Sequence, residues 1–264
     1  MPDALLTADM LRTIVGPSLL SQKKAEQIVP ALVATCRKWG ITSKLQVAAF
    51  IAQCGHESGG FQWLEEFADG SAYEGRTDLG NTQPGDGKKF KGRGWIGITG
   101  RVVFRKAGAA LGLDLENRPE LVSTPEVAAL TAGWFWRQGS ARGDLNRFAV
   151  DATAPYQLGP KDTDRWNAGR ARAVSRKEST STFDRAPIGF DMITLGINGG
   201  FNGKPQRDEM FARALQVLPN DPVGVGDKTP SPLAVVVSES KGSILPLLVV
   251  AGLGFYLWKR RKKG

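Results

Sequence analysis

The residues best suited to chemistry lie in the segment 56–61, which reads HESGGF. Glu57 ends an apolar helical pattern and stands just before two glycines, which favour leaving helical geometry. Phe61 and Trp63 follow closely. A carboxyl group among apolar neighbours keeps its proton to a higher pH, which is what a general acid requires. Glu57 is therefore a candidate proton donor at the edge of a cleft.

Hydrolysis of a glycosidic bond usually needs a second carboxyl group, which activates water or attacks the sugar. The acidic residues that follow Glu57 are Glu65, Glu66, Asp69 and Glu74. Inversion requires the two carboxyl groups to stand about 6.5–9.5 Å apart. On one continuous helix Glu57 and Glu66 would be separated by about 13 Å, but the glycine pair lets the chain turn back. The residues alone leave all four candidates open.

The chain contains few of the residues that other hydrolytic mechanisms require. It has one histidine, His56, and two cysteines, Cys36 and Cys54. A zinc enzyme needs several ligands at short spacings, and the sequence shows no such cluster, so we expect neither a metal nor another cofactor. Cys54 lies two residues from His56, and side chains at that spacing do not face each other on a helix; a Cys36–His56 pair has no supporting motif. The cysteines are interpreted as small buried residues, with a disulfide between them left open.

The elements that must position these residues are predicted to be helical. Gly40 ends one helix, Thr42 or Ser43 caps the next, and Thr124 with Pro125 starts a third. The predicted helices cover residues 24–39, 43–57, 125–138 and 206–218, and residues 191–197 are another apolar stretch. Residues 68–94 are rich in Gly, Asp and Asn and are predicted to form a loop. Residues 139–187 are polar, with little apolar periodicity, and are interpreted as a partly mobile insertion that shapes a groove.

The charge of the chain favours an acidic polymer over a nucleic acid. The net charge is +9, and five of those charges lie in residues 259–263, so the remainder carries +4. A nucleic-acid-binding protein usually concentrates more charge on one face. A mildly basic domain suits a cell-wall polymer without requiring one.

The C-terminal part of the chain differs in composition from the rest. Residues 219–243 contain four prolines with several Gly and Ser, which is typical of a linker. Residues 244–258 carry no charge and are followed by a basic tail, 259–264, so we predict a single transmembrane helix with its C-terminus on the cytoplasmic side of a host inner membrane or virion membrane. Residues 1–16 lack the features of a signal peptide, and none is expected.

Six ordered strings give the sequence its resemblance to a known family. The strings are HESGGF at 56–61, YEGRTDLGNTQPGDG at 73–87, KFKGRGWIGITGR at 89–101, ALGLDLENRPELV at 110–122, AGWFWRQ at 132–138 and INGGFNGKPQRDEMF at 197–211. With these strings the sequence resembles the family 19 glycoside hydrolases, meaning chitinases and, more closely, phage endolysins. The resemblance implies an α-rich, two-lobed, lysozyme-like fold around a substrate groove, in a domain of residues 1–218, and an inverting mechanism.

The resemblance also implies roles for individual residues. Glu57 stands where the family has its general acid, and Glu66, nine residues later, where endolysin-type members carry the general base. Glu74 is the competing base and is otherwise assigned to substrate binding. The other residues assigned to the substrate are Thr99, which would help to hold the attacking water, Asn198, which would hydrogen-bond sugar, Arg207, near the groove, and Trp95, which could stack on a sugar ring as Trp63 and Phe201 also could.

The function expected from these observations is hydrolysis of peptidoglycan by a membrane-anchored endolysin or muramidase encoded by a phage. It would serve host lysis or genome entry, with peptidoglycan and the membrane as its partners and no nucleic acid. Chitinase or lytic transglycosylase activity is the alternative. A non-catalytic wall-binding or virion protein is another, favoured only by Gly97, which stands where the family usually has Gln.

Overall fold

The computed structural model describes residues 5–224, which form a mainly helical fold. Within that range the only β-type pairings are isolated bridges, so the predicted α class is confirmed. The α-helices are α1 Ala8–Val15, α2 Gln22–Trp39, α3 Lys44–Glu57, α4 Asp86–Lys89, α5 Arg101–Leu111, α6 Pro125–Trp134, α7 Asn146–Ala149, α8 Pro160–Ser175, α9 Gly189–Asn198 and α10 Lys204–Val217.

Helix α3 is the buried centre of the fold and carries Glu57 at its end. Ser43 and Gln46 form a capping box that satisfies backbone N–H groups at its start. Every residue from Val47 to Glu57 is buried, because α3 packs against α10 on one side and against α7 and α9 on others. A helix enclosed on all sides holds its last residue firmly, so the position of Glu57 is set by the core.

Helices α2 and α6 form a second pair beside α3. Ser21 caps the start of α2, and Gly40 ends it in the left-handed conformation, as its sequence predicts. Thr124 caps α6, with Pro125 in its first turn. The two helices approach closely at Gly133, where a β-carbon would collide with the ring of Trp39. Glycine is therefore required for the α2–α6 contact.

The segment 139–187 is more ordered than its composition predicts. It contains α7, α8 and a short 3₁₀ helix, Ser181–Asp184. Trp166 of α8 and Phe183 pack edge to face and enclose Phe201 with them. Little apolar periodicity is seen in this segment because α8 buries one aromatic and two small residues on an otherwise polar surface. The interpretation of 139–187 as a partly mobile insertion stays a prediction.

The described chain ends against the domain. Leu6 N–H donates to Pro222 O at 2.8 Å, Arg37 Nε donates to Val223 O at 2.5 Å, and Val223 is buried. The first residues of the predicted linker are therefore packed on α2 and the N-terminal segment. The rest of that linker, the predicted membrane helix 244–258 and the tail 259–264 lie outside the described residues. Across residues 5–224, none of the helices combines the length and apolarity needed to cross a bilayer.

Candidate active site

Glu57 is held at the end of α3 by two side chains from the C-terminal part of the domain. Its side chain is nearly enclosed, with the residue 5% exposed. Arg207 Nη2 donates a hydrogen bond to Glu57 Oε1, and Asn198 Nδ2 lies 3.4 Å from the same oxygen. Sequence reasoning placed these three residues in one site, and the structure brings them together.

Arg207 is itself fixed by a residue that sequence reasoning missed. Arg207 is fully buried, and its Nη1 donates to Gln53 Oε1 at 2.5 Å. Gln53 Nε2 in turn donates to Thr194 Oγ1 at 2.8 Å. The signal was available, because Gln53 precedes Glu57 by four residues and so lies on the same face of α3. A buried amide on that face is a natural partner for a guanidinium that approaches the carboxylate.

Glu66 occupies a second, differently built environment. Its backbone N–H donates to Gly92 O at 2.9 Å, and the hydroxyl of Tyr73 donates to its Oε2 at 3.0 Å. Its Oε1 is buried and has no hydrogen-bond partner among the described residues. Burial raises the pKa of the Glu66 carboxyl above its usual range, although Gly92, Tyr73, Lys91 and Arg93 all act to lower it. A carboxylate with a raised pKa is a better proton acceptor.

Thr99 lies close to Glu66, and the side chains of both residues lie next to Gly92. A methyl group placed on Gly92 would lie 3.2 Å from Glu66 Oε2 and 3.4 Å from Thr99 Oγ1. The two oxygens therefore border the same small space, which only glycine leaves open. Thr99 Oγ1 donates to Gly97 O at 3.0 Å, so its lone pairs remain for another donor such as water.

The remaining candidate carboxylates have structural partners. Glu65 forms salt bridges with Lys91 at 2.8 Å and with Arg93 at 3.4 Å. Asp69 accepts hydrogen bonds from the backbone and side chain of Ser71. These contacts make both residues anchors of the loop rather than participants in proton transfer.

Glu74, the competing base, binds backbone rather than open space. Its two carboxylate oxygens accept from Gly85 N–H at 2.6 Å and from Gly87 N–H at 2.8 Å. Glu74 thus ties the turn at residue 74 to the start of α4. Its oxygens are occupied in that role, and Glu66 is the carboxylate that the structure leaves with an unpartnered oxygen.

The loop between the two motifs is fastened by Arg101, at the start of α5. Its guanidinium Nε donates to Asp86 at 2.9 Å, and Nη1 donates to Glu116 at 2.9 Å. The backbone N–H of Arg101 donates to Asn81 Oδ1. The hydrogen bond of Arg105 first, and then that of Arg101, lowers the pKa of Glu116 to about 2 despite its partial burial. This cluster ties the loop to the start of α5, two residues after Thr99.

Of the aromatic residues considered for sugar stacking, only Trp63 is accessible. Trp95 is 1% exposed and packs edge to face on Phe61, which argues against its predicted role in sugar stacking. A ring with no open face cannot stack on a sugar. Phe201 is buried with Trp166 and Phe183. Trp63 is 45% exposed, since it lies on the outer side of the Gly59 turn.

The two cysteines do not join the site. Cys36 and Cys54 are free thiols and both are buried. Burial raises the pKa of each thiol well above its usual range, so neither is a thiolate nucleophile near neutral pH. They fill the core as small apolar residues.

The arrangement of two buried carboxylates in a helical domain agrees with what comparison with known proteins finds. A family model described as class I chitinase, of glycoside hydrolase family 19, matches residues 24–215. The chain belongs to glycoside hydrolase family 19. It is accordingly a glycoside hydrolase by type, with the mainly helical fold expected for that family. The roles of Glu57, Glu66, Thr99, Asn198 and Arg207 in the reaction stay predictions.

Individual relatives match at moderate identity. A glycosyl hydrolase family 19 domain-containing protein of Haemophilus influenzae is 26% identical over 225 residues, which cover 74% of this chain and 90% of that protein. An endochitinase of Pisum sativum is 32% identical over 69% of this chain but only 56% of its own length. Among solved structures, a bacterial family 19 chitinase is 23% identical, covers 83% of this chain and 97% of its own, and superposes with a TM-score of 0.48.

The lengths of these matches differ among the relatives. The chain spans most of the Haemophilus protein but about half of the pea enzyme. For an Arabidopsis thaliana endochitinase, 41% identical over 98 residues, it spans 34% of the length. Identity is thus higher over part of the plant enzymes, whereas the match covers most of the Haemophilus protein.

Proposed function

We propose that this protein hydrolyses the glycosidic bonds of peptidoglycan with inversion of configuration. The observation that carries the proposal is the contrast between two buried carboxylates. Glu57 is oriented by Arg207 and Asn198. Glu66 keeps a buried, unpartnered Oε1, and its Oε2 borders the same space as the hydroxyl of Thr99. Acid and base roles require two carboxyl groups in different environments. The family pattern assigns the acid role to Glu57 and the base role to Glu66.

In the proposed reaction Glu57 donates its proton to the oxygen of the leaving sugar as the glycosidic C–O bond breaks. Glu66 accepts a proton from a water molecule, whose oxygen forms the new C–O bond on the opposite face of the anomeric carbon. Thr99 orients that water through its hydroxyl oxygen. Proton transfer afterwards from Glu66 to Glu57 through solvent restores the starting state, and one water is consumed for each bond cleaved.

Peptidoglycan is favoured over chitin by the arrangement predicted for the whole chain. If residues 244–258 form a membrane helix with the basic tail inside, the catalytic domain faces outward, toward the wall. We propose on this basis a membrane-anchored lytic enzyme that is encoded by a phage and serves lysis or genome entry. Carbonate extraction of membranes tests the anchor, and release of intact protein into the soluble fraction would contradict it.

Chitin hydrolysis is the second candidate, because the pea and Arabidopsis relatives are endochitinases. Both polymers are built of aminosugars, so the same pair of carboxylates could serve either. Lytic transglycosylase chemistry is less favoured, because it needs one acid/base glutamate and leaves Glu66 without a role. A non-catalytic role, suggested by Gly97, is opposed by the ordered partners of Glu57 and Glu66.

The deciding experiment is digestion of purified peptidoglycan and of chitin oligosaccharides, with mass spectrometry of the products and NMR of the newly formed anomer. We expect reducing ends of inverted configuration from peptidoglycan, whereas a 1,6-anhydro product would contradict hydrolysis. Glu57→Gln and Glu66→Gln should each reduce the rate by roughly 10²-fold or more. Glu120→Gln is the matched control, since Glu120 is an exposed carboxylate paired only loosely with Arg118.

A further inference from the structure

Three arginines cluster on the segment 139–187 without enough acidic partners. They are Arg142, in the loop before α7, and Arg165 and Arg172 on α8. Within residues 5–224 no carboxylate forms a salt bridge with Arg142 or Arg172. Arg142 Nη2 donates to Arg165 O at 3.3 Å, and Arg172 Nη1 donates to Gly199 O at 3.2 Å. Backbone carbonyls therefore take the place that anions usually occupy.

The cluster carries an electrostatic cost that Asp162 offsets only in part. Arg142 Nη1 is buried and has no hydrogen-bond partner among the described residues. Burial first, and then the neighbouring charges of Arg165, Arg172 and Arg147, lower the pKa of Arg142 to about 10, although Asp162 opposes this. Like charges held together around an unsatisfied donor are typical of a site for an anion.

The cluster lies next to the acid end of the candidate active site. Arg172 contacts Gly199, and the preceding residue, Asn198, reaches Glu57 with its amide. The loop of Arg142 is tied to the same helix, because Ser140 Oγ donates to Gly196 O at 3.0 Å. Arg172 therefore lies at the end of α9, beside the residue that reaches Glu57, and the loop that carries Arg142 is tied to the last turn of the same helix.

The nearby acidic groups do not neutralise the cluster. Asp162 is engaged by Arg147 at 3.0 Å and by Arg165 at 3.6 Å, so it serves two arginines at once. Glu178 approaches from another direction, since a methyl group on Gly200 would lie 3.8 Å from its Oε2 and 3.8 Å from Asn198 Oδ1. A ligand that spans this end of the groove thus meets two unpaired cations and one carboxylate.

We propose that Arg142, Arg165 and Arg172 bind carboxylate groups of the stem peptide that peptidoglycan carries beside the glycan strand. Stem peptides bear several carboxylates together with an amino group, which suits the arginines and Glu178 in turn. Chitin carries neither an anion nor a peptide. This inference rests on the proposed function and makes it specific, because the cluster would select peptidoglycan over chitin.

The experiment compares two forms of one substrate: glycan strands with stem peptides, and the same strands after an amidase has removed the peptides. The variants are Arg172→Gln, Arg142→Gln and the double variant. Arg170→Gln is the matched control, since it removes one exposed cation from α8 that pairs with Asp184. The double variant should raise KM on peptide-bearing strands by about tenfold, with kcat little changed, and leave both constants unchanged on peptide-free strands.

Equal losses on both forms of the substrate would mean that the cluster only supports the fold, and no loss on either would mean that it binds nothing. Arg142 is partly buried, so thermal unfolding is measured alongside. If Arg142→Gln lowers Tm markedly, the exposed Arg172→Gln decides the question alone. A wild-type protein that cuts chitin and neither form of peptidoglycan would overturn the proposed function as well. A wild type that cuts both forms of peptidoglycan equally, with unaffected variants, would overturn this inference only.

Discussion

The hydroxyl of Tyr73 donates a hydrogen bond to Oε2 of Glu66 at 3.0 Å, in a site where both side chains are buried. A donor to a carboxylate favours its ionised form, so Tyr73 opposes the burial that raises the pKa of Glu66. The balance matters for a general base, which must be ionised to accept a proton from water. Tyr73 thus acts as a positioning residue through Glu66.

Tyr73→Phe is therefore expected to raise the pKa of Glu66 further and to move the acidic limb of the kcat/KM profile to higher pH. A hydrogen bond to a charged group contributes about 1.5–3 kcal/mol, so we expect a loss of roughly tenfold at pH 5 and a smaller one at pH 8. Tyr156→Phe is the control, because Tyr156 donates to Asp162 away from Glu66. An unmoved acidic limb would show that Glu66 is not the base.

The helices that position Glu57 could be predicted from the sequence because the signals that start and end them are local. A cap such as Ser43 or Thr124 acts within one turn, and Gly40 ends its helix through its own backbone. Helix α8 escaped prediction because its buried face consists of Trp166 and small residues, which give a weak apolar pattern. Periodicity detects apolar bulk within a segment, and here much of that bulk is supplied by Phe183 and Phe201, which follow the helix.

The choice between Glu66 and Glu74 could not be made from spacing. It depends on which carboxylate is occupied by backbone N–H groups: Glu74 accepts from Gly85 and Gly87, whereas Glu66 Oε1 has no partner among the described residues. The burial of Trp95 could not be predicted from the sequence for a related reason. Its ring is covered by Phe61, a contact between residues 34 positions apart in the chain that no local pattern encodes.

Glu66→Gln should stabilise the folded protein at neutral pH. Because burial raises the pKa of Glu66, the folded protein binds this proton more tightly than the unfolded chain does. The contribution of Glu66 to stability is therefore greatest at low pH, and it is lost as pH rises through the pKa of Glu66 in the folded protein. Removal of the ionisable group should raise Tm at pH 7, by about 2–4 °C for each kcal/mol recovered, and should have no such effect below about pH 4.

Glu65, the preceding residue, supplies a control for which the expected change in Tm has the opposite sign. Burial acts to raise the pKa of Glu65, but Lys91 and Arg93 outweigh it and the pKa is lowered. The stability that Glu65 contributes is thus present at neutral pH and lost as pH falls. Glu65→Gln should lower Tm slightly at pH 7, and equal shifts in both variants would argue against the burial of Glu66.

Gln53 is expected to support catalysis through Arg207. Gln53→Leu would leave Arg207 Nη1 buried without its acceptor, which costs about 1–3 kcal/mol, and would loosen the guanidinium that holds Glu57. We expect kcat to fall by about tenfold while KM changes little. Thr194→Val is the comparison, because it removes the partner of Gln53 but leaves the Gln53–Arg207 bond in place. Equal losses of kcat in Gln53→Leu and Thr194→Val would show that Gln53 contributes only to packing of the core.

The assignment of the base can be tested by replacing each glutamate with alanine in the presence of azide. An inverting enzyme that lacks its base accepts a small anion at the vacated position, where azide attacks the anomeric carbon and forms a glycosyl azide. Glu66→Ala should lose roughly 10²–10⁴-fold in rate and recover part of it with azide. The Tm of Glu66→Ala should fall less than that of Glu74→Ala, because the Glu74 side chain accepts two backbone hydrogen bonds and that of Glu66 does not play this part.

Glu74→Ala should behave differently in each measurement. Loss of its two backbone hydrogen bonds frees the turn at residues 85–87, so Tm should fall, and any loss of rate should be insensitive to azide. Asp69→Ala is the control for the loop, because Asp69 caps Ser71 without reaching α4. A glycosyl azide from Glu74→Ala, and none from Glu66→Ala, would transfer the role of base to Glu74. That result would require the loop to open around Gly85 before water could be activated, because Glu74 has both oxygens engaged in this structure.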